Sequence, residues 1–226
     1  FNGVAATVTK EALALIEARA DVEKITLDFE VYLPEVEVEE TKPRLPEWGV
    51  EKINAPDVWG TYGIEGNGVV VGIMDTGVDW QHEALRKNYR GKDGNHEFSW
   101  FDATGYGYEM PTDRNGHGTH VAGTAGAEWI AAKIFDDGGR ATASGIHEAF
   151  QWFMAPGGDP DMAPDVVNNS WGSANPYRTE FLEDVQAWVA AGIFPLFAAG
   201  NDGPGVGTVG SPASFPESFA VGATDI

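Results

Sequence analysis

The run GVVVGIMD, residues 68–75, is apolar from end to end and stops on an acid. A strand with one face in water alternates apolar and polar residues, whereas one buried on both faces reads as a continuous apolar run. EWIAAKIF (128–135), DVVNNS (165–170), IFPLFAAGN (193–201) and FAVGAT (219–224) follow the same plan. Between them lie two patterns of helical period. One carries Ile146, Ala149, Phe150 and Phe153, the other Phe181, Leu182, Val185, Trp188 and Val189. Strand and helix therefore alternate, which predicts an α/β fold with a parallel sheet flanked by helices and right-handed crossovers. Ligands of such sheets bind at the carboxyl ends of the strands. Asp75, Ser170 and Asn201 fall there.

The chain has 226 residues, enough for one full domain and a fragment of another. Its 42% hydrophobic content supports a packed core. The formal net charge of −21 argues against nucleic-acid binding, which needs a basic surface, and reads most simply as a solvated acidic exterior. There is no cysteine, which excludes disulfides, thiolate catalysis and cysteine-based zinc sites. No apolar run approaches membrane-spanning length, so no membrane partner is expected. No signal-peptide pattern follows Phe1, so the N-terminus of a secreted form is expected upstream.

Residues 1–33 form a separate small unit in the sequence. NGVAATVT (2–9) alternates like a strand, Leu13, Ile16 and Ala20 mark a helix face within Thr9–Ala20, and Val22, Ile25, Leu27, Phe29 and Val31 alternate again. A β-α-β piece of this length buries little by itself and is expected to be half of a domain. Residues 34–46, PEVEVEETKPRLP, hold three prolines among glutamates and read as an exposed linker. The main domain is expected over 47–226.

Three positions could carry chemistry. Asp75 ends a buried strand, where an acid is costly unless paired; Thr76-Gly77 supplies a turn able to donate to it. Taken alone, Asp75 reads equally as a structural cap of that turn. His117 lies in NGHGTHVAGT (115–124), at the start of a helical stretch. A helix N-terminus lowers a histidine's pKa and keeps the ring neutral and basic. The glycines around it permit close approach of backbone or substrate. His120, one turn on, reads as a hydrogen-bonded core residue, with a metal site of Asp75, His117 and His120 as the alternative. HEALR (82–86) fails the HExxH metalloprotease pattern at its last position. Asn201, in FAAGNDG (197–203), offers a side-chain amide able to donate to an oxyanion, although Asn before Asp-Gly is ordinarily a turn residue. GVGTVG (205–210) matches a dinucleotide fingerprint, but SPASFPES follows where that motif needs a helix, so it reads as a loop.

In this order, VVVGIMDTGVD, NGHGTHVAGT, VVNNSWG and FAAGNDG closely resemble the successive blocks of the subtilisin-like serine proteases, the subtilases. Bacillopeptidase F-like members are among those to which the chain is similar. The resemblance covers about residues 47–226 and implies peptide-bond hydrolysis by an Asp-His-Ser triad through an acyl-enzyme. It makes Asp75 the acid that orients the imidazole, His117 the general base and then acid, and Asn201 the side-chain half of the oxyanion hole. It also implies that Ser170, Trp171 and Gly172 pair with an extended peptide, with Ala198, Ala199 and Gly200 as the opposite wall of the pocket. Residues 1–33 resemble the second half of the α+β (ferredoxin-like) inhibitor and chaperone prodomain of these enzymes, and 34–46 would hold the maturation site. Such enzymes are secreted, act on proteins and peptides, and need no cofactor for catalysis.

The resemblance also leaves a gap. The nucleophile of the family sits in a Gly-Thr-Ser block, and none of Ser99, Ser144, Ser170, Ser173, Ser211, Ser214 and Ser218 has that context. The sequence is expected to be incomplete, ending before that block. The alternative is a catalytically dead protein that holds extended peptides in the same cleft. Structural calcium is common in the family, but the stretch between HVAGT and EWIAAKIF is short and the acid expected nine positions after Asp75 falls on Ala84. No metal site is therefore carried over.

Overall fold

The computed structural model describes residues 3–33, 48–123 and 127–224. In chain order its elements are α1 (Lys10–Glu17), β1 (Glu30–Tyr32), α2 (Trp48–Lys52), α3 (Ala55–Tyr62), β2 (Val70–Asp75), β3 (Trp100–Asp102), α4 (His117–Ala122), β4 (Glu128–Lys133), β5 (Arg140–Thr142), α5 (Ala143–Met154), β6 (Val166–Asn169), α6 (Leu182–Ala190), β7 (Phe194–Ala198) and β8 (Phe219–Val221). Six strands form one sheet in the order β3-β4-β2-β6-β7-β8, every pair parallel. The five strands expected from apolar runs are all present. β3 and β5 were not expected: at three residues each, they are too short to show a period.

Both faces of the sheet are covered, which explains the unbroken apolar runs. Met74, Ile130, Ala132, Val167 and Phe197 pack on one side with Ile146, Phe150 and Phe153 of α5 and Val185 and Trp188 of α6. Ile73, Trp129 and Ala131 face the other side with Val78, Tyr89, Trp100 and Ala122. Helix α5 starts where Thr142 caps it, its hydroxyl accepting from Gly145 N at 3.1 Å. Its residues 146, 149, 150 and 153 then make one buried stripe. Trp188 is fully buried and donates its indole N–H to Phe150 O at 2.8 Å, so its one polar atom is satisfied. The edge strand β8 differs: Phe219 and Val221 are about half exposed, and the Phe219 ring lies 5.5 Å from that of the equally exposed Phe194.

Among its described residues the N-terminal piece has one helix and one strand, and residues 3–9, in the stretch expected as a strand, carry no regular structure and are exposed. Thr9 caps α1, accepting from Ala12 N at 3.2 Å. Of the second alternating stretch only its end pairs: β1 runs antiparallel to β5, with Val31 opposite Ala141 and buried in the main core. The Phe29 ring centre stands 6.3 Å from that of Phe181 and 4.0 Å from the Arg178 guanidinium. Asp28 accepts from the backbone N–H of Ser144 at 2.9 Å and its hydroxyl at 2.7 Å, at the first turn of α5. Lys24 pairs with Glu180 at 3.3 Å. The expected linker at 34–46 lies outside the described residues.

Candidate active site

Asp75 is the last residue of the central strand β2, and its side chain is completely buried. Its Oδ1 accepts from Thr76 N at 2.7 Å, as the turn chemistry predicted, and lies 2.7 Å from His117 Nδ1. His117 opens α4, 42 residues further on, and its ring is mostly covered. The two elements interlock because two glycines have no side chains. Gly77, at φ +96°, turns the chain so closely beneath Thr112 that a Cβ there would sit 2.0 Å from the Thr112 carbonyl oxygen. A Cβ on Gly118 would sit 2.1 Å from Gly77 O and 3.1 Å from Asp75 Oδ1. Close approach of backbone to backbone accounts for these glycines.

The hydrogen bond of Asp75 raises the pKa of His117. Burial opposes the shift, and the charges of Asp75 and Asp113 reinforce it. This corrects the expectation of a depressed value: α4 has six residues, and a contacting carboxylate outweighs the dipole of so short a helix. His120 also differs from expectation. Gly118 and Ala122 form the buried face of α4, and His120 between them is exposed rather than a core residue. Among the described residues no three His, Cys, Asp or Glu side chains are grouped to hold a metal ion.

Asn201 follows β7 by three residues and is exposed, at the same carboxyl edge of the sheet as Asp75. No described hydrogen bond ties its side chain to the Asp75–His117 pair. Ser170, Trp171 and Gly172 continue β6 beyond its carboxyl end, and Ala198, Ala199 and Gly200 continue β7 beside them. Ser170 Oγ accepts from Asn168 Nδ2 at 3.0 Å. The side chain of Trp171 turns into the core, edge-on to Phe181 and Phe197, which leaves only its backbone for outside contacts. Ala199 N donates to Val221 O and its carbonyl accepts from Gly210 N, which fixes the backbone of this stretch.

Two residues of the site carried no assignment from sequence. Lys133, the last residue of β4 and in register with Asp75, is fully buried and donates to Thr76 O at 2.7 Å. A lysine inside the apolar run EWIAAKIF is the signal that could have found it. Asp113 accepts from Thr76 Oγ1, from the backbone N–H groups of Asn115, Gly116 and Thr119, and from Thr119 Oγ1. No described residue hydrogen-bonds to His117 Nε2. The hydroxyls of Ser144, Ser170, Ser173 and Ser214 are engaged elsewhere, with Asp28, Asn168, Asn175 and Pro176.

The model of the subtilase family matches residues 66–226. The chain is 38% identical over 272 aligned positions to Bacillopeptidase F of Bacillus subtilis (strain 168), covering all of this chain and 18% of that protein. It is 29% identical over 237 positions to Subtilisin-like protease 7 of Trichophyton equinum, covering 99% of this chain and 55% of that protein. Against a subtilisin-like protease of Coccidioides posadasii (strain C735) the identity is 30%, with 100% and 56% covered. The chain thus spans about half the length of these fungal relatives and under a fifth of the bacterial one. Among the described residues no helix is long and apolar enough to cross a membrane.

Proposed function

Since the chain belongs to the subtilase family, we propose that it is part of a secreted serine endopeptidase precursor in which Asp75, His117 and Asn201 serve catalysis. The observation that carries this reading is the 2.7 Å contact of His117 Nδ1 with the buried Asp75 carboxylate. That contact fixes the tautomer: Nδ1 carries the proton shared with Asp75, and Nε2 is left as an acceptor. A serine hydroxyl brought to Nε2 gives up its proton as its oxygen attacks the peptide carbonyl. The imidazolium so formed is stabilised by Asp75 and returns the proton to the leaving amine. Water then hydrolyses the acyl-enzyme by the same route in reverse. The Asn201 amide would donate to the oxyanion, a contact worth about 2.7–4 kcal/mol to the transition state.

The nucleophile in this reading is contributed by further polypeptide packed beyond β8. Three observations support it: none of the described serines is hydrogen-bonded to His117, the apolar edge Phe194-Phe219-Val221 is open, and the relatives are longer. An extended peptide would lie along the backbone of 170–172 with its side chain before the scissile bond against Ala198, Ala199 and Gly200. The N-terminal piece would act as inhibitor and chaperone, a reading supported by β1 pairing with β5 and by Asp28 at the first turn of α5. Maturation would then fall within 34–46, and catalysis would need no cofactor.

Labelling of the full gene product with a fluorophosphonate tests the proposal. Covalent labelling and peptide hydrolysis are expected in the wild type, and neither in the His117→Ala variant. Full proteolysis by His117→Ala would sink the assignment.

A further inference from the structure

We propose that Asp113 is a positioning residue that clamps the turn after β2 to the first turn of α4 and thereby sets how His117 meets Asp75. Five donors converge on its carboxylate. Oδ1 accepts from Thr76 Oγ1 at 3.0 Å, Asn115 N at 3.0 Å and Gly116 N at 2.9 Å. Oδ2 accepts from Thr119 N at 2.9 Å and Thr119 Oγ1 at 2.6 Å.

These donors belong to both halves of the Asp75–His117 pair. Thr76 directly follows Asp75, and its hydroxyl, while donating to Asp113, accepts from Gly118 N at 2.9 Å, directly after His117. Thr119 Oγ1 likewise accepts from Asp79 N at 2.9 Å, further along the same turn. One carboxylate therefore closes two loops of hydrogen bonds, Asp113–Thr76–Gly118 and Asp113–Thr119–Asp79. The first N–H groups of a helix lack partners within it and need outside acceptors. The N-cap of α4 is Gly116, which has no side chain to supply one, and Asp113, three residues further upstream, accepts from Thr119 N in its place.

The placement also has an electrostatic consequence. The charges acting on His117 are Asp75 from β2 and Asp113 from its own approach loop, and both favour the imidazolium. Asp113 supports the base twice over, by holding its backbone and by stabilising its charged form.

The catalytic meaning of this placement rests on the reading of His117 as the base, but its test does not require turnover. The imidazole of His117 is titrated by NMR in the 226-residue chain, its signals assigned with a His117→Gln variant. In Asp113→Asn the midpoint is expected below that of the wild type, with faster hydrogen exchange at the Gly118 amide. Thr76→Val keeps the Asp113 charge but cuts its bridge to Gly118, and is expected to speed exchange at Gly118 and lower the midpoint too. A residue that merely supported the fold would lower thermal stability and leave the His117 titration alone. A folded Asp113→Asn with unchanged midpoint and Gly118 exchange overturns the proposal. If that variant does not fold, unchanged behaviour of Thr76→Val overturns it instead. Failure of the full gene product to cleave peptides would remove the proposed function and leave these titrations standing.

Discussion

Lys133 directs its ammonium to the carbonyl oxygen of Thr76, 2.7 Å away, from the strand position in register with Asp75. It is fully buried, with Asp137 at 3.2 Å and the Tyr108 ring face 5.8 Å away. The strand beside the central one thus holds the turn that directly follows Asp75. Replacing Lys133 by Met keeps most of the volume and removes the donor, leaving the Thr76 carbonyl unsatisfied. A loss of about 1–3 kcal/mol is expected. Urea unfolding checks it: the midpoint should fall with the slope unchanged.

Much of this arrangement was legible in the sequence, because a parallel sheet buried on both faces writes itself as apolar runs, and α5 and α6 as stripes of period 3.6. Asp75 was legible as the polar end of such a run. Lys133 stands out as a lysine within an apolar run, but its place beside Asp75 was not legible, since a single strand does not reveal its register with a neighbour. Asp113 was missed for a similar reason: its partners span residues 76–119, and only the folded chain brings them together. His120 shares its helical turn with His117, but the short α4 turns only Gly118 and Ala122 inward.

At Gly118, α4 and the turn after β2 touch without side chains. In Gly118→Ala the new methyl would meet the Gly77 carbonyl oxygen at 2.1 Å, and neither backbone can give way without moving Asp75 or His117. A destabilisation of about 1–3 kcal/mol is expected from overpacking. The titration midpoint of His117 should fall as its contact with Asp75 lengthens. In a form that cleaves peptides, kcat should drop by roughly 100-fold, the scale of a misplacement of about 1 Å. Thermal unfolding, NMR titration and steady-state kinetics check the three outcomes.

In the proposed mechanism the Asp75–His117 pair would set the acid limb of activity. Only the neutral imidazole can take a proton, and Asp75 raises the pKa of His117. Activity should therefore fall as pH drops, through a midpoint above that of an ordinary histidine, about 6.5. Asp75→Asn should move this limb to lower pH and cost about 10⁴-fold in kcat at neutral pH, because the amide favours the wrong tautomer. A pH profile of kcat/KM for both forms checks this; an unshifted limb would show that the two residues are not coupled.

On α5, His147 offers a test of stability rather than activity. Its Nδ1 lies 2.8 Å from Asp184 Oδ2 and its Nε2 3.5 Å from Glu180 Oε1, and Glu180 also pairs with Lys24 of the N-terminal piece. Burial pulls its pKa down, but the hydrogen bonds and charges of Asp184 and Glu180 raise it beyond the ordinary value. Since the folded-state value exceeds the unfolded one, this residue's contribution is fully present below about pH 6.5 and is lost as pH rises through the folded value. His147→Gln should therefore destabilise the chain most at about pH 5.5, by about 1.5–3 kcal/mol, the scale of a hydrogen bond to a charged group. The difference from wild type should shrink as the pH is raised through the folded-state value towards about pH 8.5. Urea unfolding of both proteins at the two pH values measures it, and a difference that grew with pH would mean that His147 is neutral in the folded protein.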